Sequence, residues 1–539
     1  MTPVQRTDTK RDRVTDQRDN LTHELAAAVG AEHVSARHVD RAIYSRDVWP
    51  RNTIRLQSDE LPDLPEAVVW PGSVEEVRAV VRIAGRALVP IIPMGAGSGV
   101  CGGTVALGGR GIVLDLKRMN RVLAIDDESL TVTAEAGIIG EILERRLNRK
   151  GYTMGHFPSS IYCSSFGGWL STRAAGQLSA KYGKIEDMVV SLQVVLPSGE
   201  VLETRRAPQS ATGPDWNHAF MGAEGTLGII TAATCRVWPY PASRRFQAYS
   251  FATVEDGLEA IREMMQAELR PACVRLYDPV DTFFSKTSKI VPAEEQIEDH
   301  QRRAPKQLKD RGTWPRRVLP LLFHPGLMNP LLNRLDRSKL VLTFEGDPEI
   351  TALEQSLAKG ICARCGGRDL GPGPARHWWE KRYKVSYTMQ VMFDLGFFVD
   401  TIEVATVWDR LDELYYGMRN AIGRHAFVMA HFSHSYPQGC SIYFSIAATA
   451  RSQAAKLAVY DGVWKDALDE CVRRGGSISH HHGVGVLKAK WLEEEEGGAL
   501  PLLKALKSAV DPEGIMNPGK LGLGGNNGNR KQSDESKKL

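Results

Sequence analysis

Two stretches of this sequence carry residue types that can do chemistry. In SISHHHGVG, residues 477–485, His480, His481 and His482 stand in a row between a serine and a glycine turn. Three successive imidazoles suit a metal site or a proton relay. In an extended segment side chains alternate faces, so at most two of the three can point at one ligand. Protonated rings packed together repel, which lowers their pKa values and keeps most of them neutral near pH 7, a state suited to proton shuttling. A zinc site would need further His, Cys or carboxylate ligands set tetrahedrally. The second stretch is PMGAGSGVCGG, residues 93–103.

Within it, Gly97-Ser98-Gly99-Val100-Cys101-Gly102 satisfies the G-x-G-x-x-G pattern, and Asp115 follows at the end of the next apolar run. A nicotinamide fold needs a helix directly after the glycines, its N-terminus facing the pyrophosphate. The residues that follow, GTVALGGRG, are too short and too rich in glycine to form one. That excludes the nicotinamide reading. Without a helix, such a loop can still turn several backbone N–H groups around phosphate oxygens, because glycine permits positive φ and close approach. Similar small-residue stretches recur at 156–183, HFPSSIYCSSFGGWLSTRAAGQLSAKYG, and at 221–230, MGAEGTLGII. One ligand touching three separate segments is what a long dinucleotide such as FAD would require.

The elements that must position these loops follow from periodicity. SVEEVRAVVRIAGRA (73–87) has helical apolar spacing, while LVPIIPM and GIVLDL read as short buried strands on either side of the glycine loop. VLAIDDESLTVTAEAG is rich in β-branched residues, and IGEILERRLNRKG is a helix stopped by Gly151. Further strands run through MVVSLQVVLPSGEVLET and GIITAATCRVWP, with a boundary at Pro239 and Pro241. The fold class is α+β.

A chain of 539 residues exceeds one core, and about 150 residues per domain sets a prior of roughly three or four units. Hydrophobic content of 42% and charged content of 24% are ordinary for a globular protein, and no apolar run reaches membrane-spanning length. Eight dispersed cysteines fit reduced thiols, and Cys362-Ala-Arg-Cys365 lacks the second ligand pair of a zinc site. The net charge of +4 is too small for a general nucleic-acid binder. It is unevenly placed: residues 301–340 hold ten Lys/Arg against Asp310 and Asp336, and WPRRVLPLLFHPGLMNPLLNRL (314–335) mixes arginine with apolar residues as a surface segment on an anionic membrane would. The N-terminal twenty residues have no apolar core for a secretory signal, and the terminal Lys-Lys-Leu is a weak relative of a peroxisomal address. A cytoplasmic location is expected, with peripheral membrane contact and a peroxisomal location as the alternatives.

From about Pro65 to Leu521 the chain resembles the FAD-linked oxidases of the vanillyl-alcohol oxidase type, and within them the alkyldihydroxyacetonephosphate synthases. The resemblance is carried by ordered blocks: PMGAGSGV, GHFPSSIYCSSFGGWLSTRAAG, YGKIEDMVVSLQVVLPSGE, MGAEGTLGIIT, VRLYD, TIEVATVWDR, CSIYFSI and GGSISHHHGVGVLKAKW. It implies an N-terminal arm (1–60), a PCMH-type FAD-binding domain of two subdomains (61–241), an α+β substrate cap (242–410), a C-terminal helical region with the histidine loop (411–521) and a flexible tail (522–539). It also implies a lipid or other small-molecule substrate and a homodimer.

By the same resemblance FAD is contacted by four segments. They are Pro93, Met94, Gly95, Ala96, Gly97, Ser98 and Gly99; Ser159, Ser160, Ser164 and Ser165; Thr172, Arg173, Ala174 and Ala175; and Glu224, Gly225, Thr226, Leu227, Gly228, Ile229 and Ile230. Tyr443 matches the tyrosine that moves protons, His480, His481 and His482 match the family's histidine run, and Arg275 matches an arginine needed for activity. The implied reaction replaces the acyl group of acyl-dihydroxyacetone phosphate by a fatty alcohol. The alternative is an FAD-linked oxidase or dehydrogenase of a 2-hydroxy acid or alcohol. Dehydrogenases of D-2-hydroxy acids hold a divalent ion through His-x-Gly-Asp-Gly-Asn-x-His and Gly-Glu-His-Gly, and this chain has Tyr443 and His481 where two of those ligands would be, so no metal is expected there. Met389 stands where the synthases have an arginine that contacts substrate. No histidine lies in the glycine loop to tether FAD, and a thioether at Cys163 is the minor alternative to non-covalent binding.

Overall fold

A computed structural model describes residues 10–58, 60–287, 325, 326, 329, 337–384 and 389–524. The first sheet comprises β1 (Val34–Ser35), β2 (Ala67–Val69), β3 (Ile91–Met94) and β4 (Ile112–Asp115), in the order β1-β2-β4-β3. β2, β4 and β3 run parallel, and their continuous apolar runs are what a sheet covered on both faces requires. The helix Val74–Ala87 packs Val77, Val80, Val81 and Ala84 into this core; Ser73 Oγ caps it by accepting from the Glu76 N–H at 3.2 Å. No α-helix follows the glycine loop, only a single 3-10 turn at Leu107–Gly109 before β4, in keeping with the rejection of a nicotinamide fold.

The second sheet is antiparallel and five-stranded. It contains β5 (Val122–Asp126), β6 (Thr131–Glu135), β8 (Val189–Val195), β9 (Val201–Glu203) and β10 (Ile229–Arg236), in the order β5-β6-β10-β8-β9. A small ribbon pairs β7 (Tyr152–Thr153) with β11 (Trp238–Pro239).

A seven-stranded antiparallel sheet forms the other half of the molecule. Its members are β12 (Ser243–Phe251), β13 (Cys273–Tyr277), β14 (Ser338–Gly346), β15 (Arg368–Gly371), β16 (Phe398–Val407), β17 (Phe427–Ser435) and β18 (Gly439–Ala448), in the order β15-β12-β14-β13-β17-β18-β16. The helices Val254–Gln266, Leu411–Gly423 and Gln453–Arg473 bury their apolar faces in its core. Strands from 242–410 and from 411–521 thus share one sheet. The chain then returns to the first core, where Met516 bridges Ile91 and both side chains are buried.

Among the described residues no helix is long and apolar enough to cross a membrane. Of the basic segment 314–335 only Pro325, Gly326 and Asn329 are described, and Asn329 Nδ2 donates to the carbonyls of Gly423 (2.9 Å) and Ala426 (3.3 Å). The rest of that segment, and 525–539 of the expected tail, lie outside the described residues.

Candidate active site

The small-residue segments meet because their glycines leave no room for a side chain. A Cβ on Gly95 would lie 1.9 Å from Ser165 Oγ, one on Gly225 2.9 Å from Pro93 Cγ, and one on Gly483 2.7 Å from Glu224 Oε1. The loop 93–99, the turn at 164–165, the turn at 224–226 and the histidine loop are therefore in direct contact. Ser165 caps the helix Phe166–Thr172, and Ser164 Oγ accepts from Trp169 Nε1 at 2.7 Å. Arg173 closes that helix in the left-handed region, φ 50°, and donates to the His218 carbonyl at 3.2 Å.

Not every carried-over position presents its side chain to this junction. Leu227, Ile229 and Ile230 are buried in the core, while Ser159 is exposed and accepts from Gln177 Nε2 at 3.1 Å. Glu224 has both carboxylate oxygens committed: Oε1 accepts from the Val484 N–H (2.6 Å) and Oε2 from the Gly485 N–H (2.9 Å). It is the peg that fastens the histidine loop to the cradle.

Three polar residues absent from the sequence reading brace the cradle from the C-terminal segment. Asn517 Nδ2 donates to the Gly103 (3.0 Å) and Glu224 (2.7 Å) carbonyls, Lys507 Nζ to the Thr226 carbonyl (2.7 Å), and Lys520 Nζ to the Val105 carbonyl (2.8 Å). Burial lowers the Lys520 ammonium to about 8, against the opposing pull of Glu224 and Asp47. Around this junction several buried polar atoms have no protein partner: Asp47 Oδ2, Thr104 Oγ1, Arg173 Nε, His482 Nδ1 and Asn517 Oδ1. Buried polar atoms are normally satisfied, so this set fits a ligand rich in hydrogen-bonding groups, as FAD is.

The candidate catalytic side chains hang on the ladder of β17, β18 and β16 and on the loop tied to it. Tyr443 on β18 is paired with His431 on β17 and with Glu403 on β16. Its ring stacks on His431 at 4.7 Å between centroids, lies parallel to His481 at 6.2 Å and meets the edge of His482 at 5.9 Å. Burial raises the phenol pKa, so Tyr443 keeps its proton at neutral pH. Arg275, on β13 opposite Ser433 of β17, donates from Nη2 to His431 Nδ1 at 3.1 Å.

Glu403 is fully buried and holds the histidine loop by its backbone. It accepts from the N–H groups of His480 and His482 (the latter at 2.9 Å), from Ser479 Oγ (3.0 Å) and from the buried Lys488 Nζ (2.8 Å). Burial alone would raise its pKa; the Lys488 charge, His482 and these donors outweigh it and bring it to about 2. Glu403 and Lys488 were absent from the sequence reading, although a glutamate inside the β-branched run TIEVATV was the available signal.

The chain bends at 480–482, and Gly483 and Gly485 take positive φ, 80° and 55°. Consequently the side-chain alternation expected of an extended segment does not apply. The His480 and His481 rings are 5.3 Å apart and the His481 and His482 rings 4.4 Å apart, so all three share one cluster. His434 joins them, 5.1 Å from His480 and 5.0 Å from His481. Burial first, then neighbouring charges and rings, holds these imidazoles neutral: His434 falls to about 3, His482 to about 4 despite Glu403, and His480 and His481 well below the usual range. Each neutral imidazole keeps one protonated and one bare ring nitrogen, so beside a protonated phenol it can both donate and accept a hydrogen bond and relay a proton through its ring.

Residues 65–205 match the family model described as an FAD binding domain, and residues 240–521 match the C-terminal domain of FAD linked oxidases. The chain belongs to the FAD-linked oxidase family. It is 31% identical to the alkyldihydroxyacetonephosphate synthase of Dictyostelium discoideum, over 87% of this chain and 75% of that protein. It is likewise 31% identical to the uncharacterised FAD-linked oxidoreductase YgcU of Escherichia coli K12, over 89% of this chain and 95% of that one. A solved alkyldihydroxyacetonephosphate synthase structure superposes with a TM-score of 0.73 at 27% identity, covering 93% of this chain and 84% of the other. The cofactor of this FAD-linked oxidase is FAD. When bound, its isoalloxazine supplies an electrophilic and redox-active centre that no side chain provides.

Proposed function

We propose that this FAD-linked oxidase exchanges the acyl group of acyl-dihydroxyacetone phosphate for a fatty alcohol, releasing the fatty acid and forming the ether. One C–O bond is broken and one is made, with no net oxidation. FAD is held non-covalently, as no histidine occupies 93–103. Tyr443 moves the proton at the reacting carbon, His481 and His482 form the polar wall that receives and returns it, and Arg275 positions His431 beneath the phenol. The observation that carries the reading is the Tyr443 ring in contact with His431, His481 and His482, a proton-transfer cluster. Likeness to the synthases along most of the chain supports it. A homodimer, and membrane contact through 314–335, complete the proposal for a lipid substrate.

A second reading is favoured by one observation, Met389 in place of the substrate-contacting arginine, together with the likeness to YgcU. In it the enzyme oxidises a hydroxy acid or alcohol. Anaerobic incubation of the yellow protein with acyl-dihydroxyacetone phosphate and a fatty alcohol separates the two. Ether product without loss of the visible flavin band is expected; no ether, with rapid bleaching by a 2-hydroxy acid, would replace the first reading by the second.

A further inference from the structure

Two adjoining cavities lie where the two matched domains meet, apart from the Tyr443 cluster. The larger, about 460 Å³, runs along the helix Gly140–Asn148 and is bordered by Phe157, Tyr162 and Tyr383. The smaller, about 220 Å³, brings Arg244, Trp379 and Arg382 against Thr153. Asn148 and Phe157 line both. Neither lining contains a residue of the four small-residue segments or of the histidine loop, nor Arg275, His431 or Tyr443.

Arg382 is the group in this lining with bonding capacity unspent. It follows the helix Gly373–Lys381, and its guanidinium lies over the Trp379 ring at 3.8 Å and the Tyr383 ring at 4.4 Å. Nη1 donates to the Trp379 carbonyl and Nη2 to Tyr383 Oη at 3.3 Å, whereas Nε is buried with no partner. Buried N–H groups are normally matched, so this one calls for an acceptor that the protein does not supply. Gln177 Nε2 donates to the Arg382 carbonyl at 3.3 Å and fixes the backbone that carries the guanidinium. Neighbouring charges are already spent: Arg244 pairs with Glu345 at 2.7 Å and Arg145 with Glu141 at 3.2 Å. Glu144 accepts from the Met154 N–H at 2.9 Å and from Asn148 Nδ2 at 2.6 Å, and burial pushes its carboxyl up, toward the neutral form. The charge left over is the positive one on Arg382.

We propose that this crevice binds a planar aromatic carboxylate. Nε and Nη2 form the edge of a guanidinium that takes both oxygens of a carboxylate, and with rings lying over its face that edge is what Arg382 presents. Beside it Phe157, Tyr162 and Tyr383 give a flat apolar body ring faces and edges to pack on; Tyr162 and Tyr383 already meet edge to face at 5.3 Å. The larger cavity has the size of a small-molecule site. Asn148 and Phe157 belong to the matched FAD binding domain, and Arg244, Trp379 and Arg382 to the matched C-terminal domain, so a bound carboxylate ties the two together. The site stands whichever of the two reactions the enzyme performs.

The probe is benzoate, titrated by calorimetry into the flavin-loaded full chain, with inorganic phosphate as the comparison. Benzoate is expected to bind with a Kd of about 1 mM or tighter and to raise the Tm, and phosphate, which has no ring, to bind at least about tenfold more weakly. Arg382→Gln is expected to weaken benzoate at least about tenfold, the scale of a lost hydrogen bond to a charged group. Retained flavin absorbance certifies that the variant is folded. Three outcomes overturn the proposal: no binding of benzoate, undiminished binding by folded Arg382→Gln, or binding that shifts the visible flavin band and so lies at the flavin. Phosphate binding as tightly as benzoate overturns the aromatic class. Should Arg382→Gln lose flavin, Tyr162→Ala at an exposed ring decides: benzoate weakened about threefold or more upholds the site, and an unchanged affinity removes it.

Discussion

Glu403 and Tyr443 face each other across one rung of the β16–β18 ladder. Directly opposed residues project to the same side of a sheet. The carboxylate on that rung holds the histidine loop by its backbone, while the phenol beside it lies against the rings of that loop. Register between two strands therefore sets the phenol against the rings with which it is proposed to exchange a proton.

Removing only the phenolic hydroxyl isolates its chemistry. Tyr443→Phe keeps the stack on His431 and is expected to leave the flavin-to-protein ratio unchanged while turnover falls about 100-fold or more, the scale of lost acid–base catalysis. Near-parental turnover with intact flavin would take Tyr443 out of the reaction.

The buried pair beneath the loop behaves differently. Glu403→Gln leaves Lys488 charged, fully buried and without its counter-ion, which costs about 3–5 kcal/mol. The double variant Glu403→Gln, Lys488→Met is expected to recover much of that loss in urea unfolding. Equal destabilisation of the single and double variants would show that the ion pair is not the source.

Space at the glycine loop is tested by Gly95→Ala. The added carbon meets Ser165 Oγ at 1.9 Å, and overpacking of this kind costs about 1–3 kcal/mol locally, enough to loosen the cradle. Purified protein is expected to carry less flavin. Combining it with Ser165→Gly, an acceptable helix cap, is expected to restore loading; undiminished flavin in the single variant would contradict the contact.

Acid stability is set in part by His156, which is buried against Trp169 with no partner on either nitrogen. Burial, then Lys184, lowers its pKa from 6.5 to about 3. A depressed imidazole contributes full stability above its unfolded pKa and loses it as pH falls toward the folded value, because the unfolded chain takes the proton first. Between pH 7 and 5 that loss is about 2 kcal/mol. His156→Gln is expected to show a correspondingly shallower decline in denaturant titrations at the two pH values; identical declines would contradict this assignment.

The loops were legible in the sequence because glycine and serine advertise backbone approach, and the missing helix after Gly102 was visible as composition. Tyr443, Arg275 and the three histidines, named from a resemblance, do meet in one cluster, since they sit on neighbouring strands and a loop tied to them. His434 was not legible as a partner of His480: its direction comes from a one-residue bulge, which leaves no mark in composition. Lys488 was equally hidden, and Glu403 showed only as a charge inside a β-branched run, whose partner is not apparent until the strand order buries the two together. The bend at 480–482 overturned the alternation argument for a similar reason, as Gly483 and Gly485 free the chain from the extended conformation that argument assumed.

The donors that brace the glycine-rich cradle come from far along the chain: Lys507 reaches a carbonyl 281 residues earlier, and Asn517 one 414 residues earlier. During synthesis on the ribosome the glycine loop is made long before its clamps exist. On the proposal that this cradle holds FAD, cofactor capture is a late event, and an amino-terminal fragment ending near residue 241 is expected to be colourless however well its own strands pair.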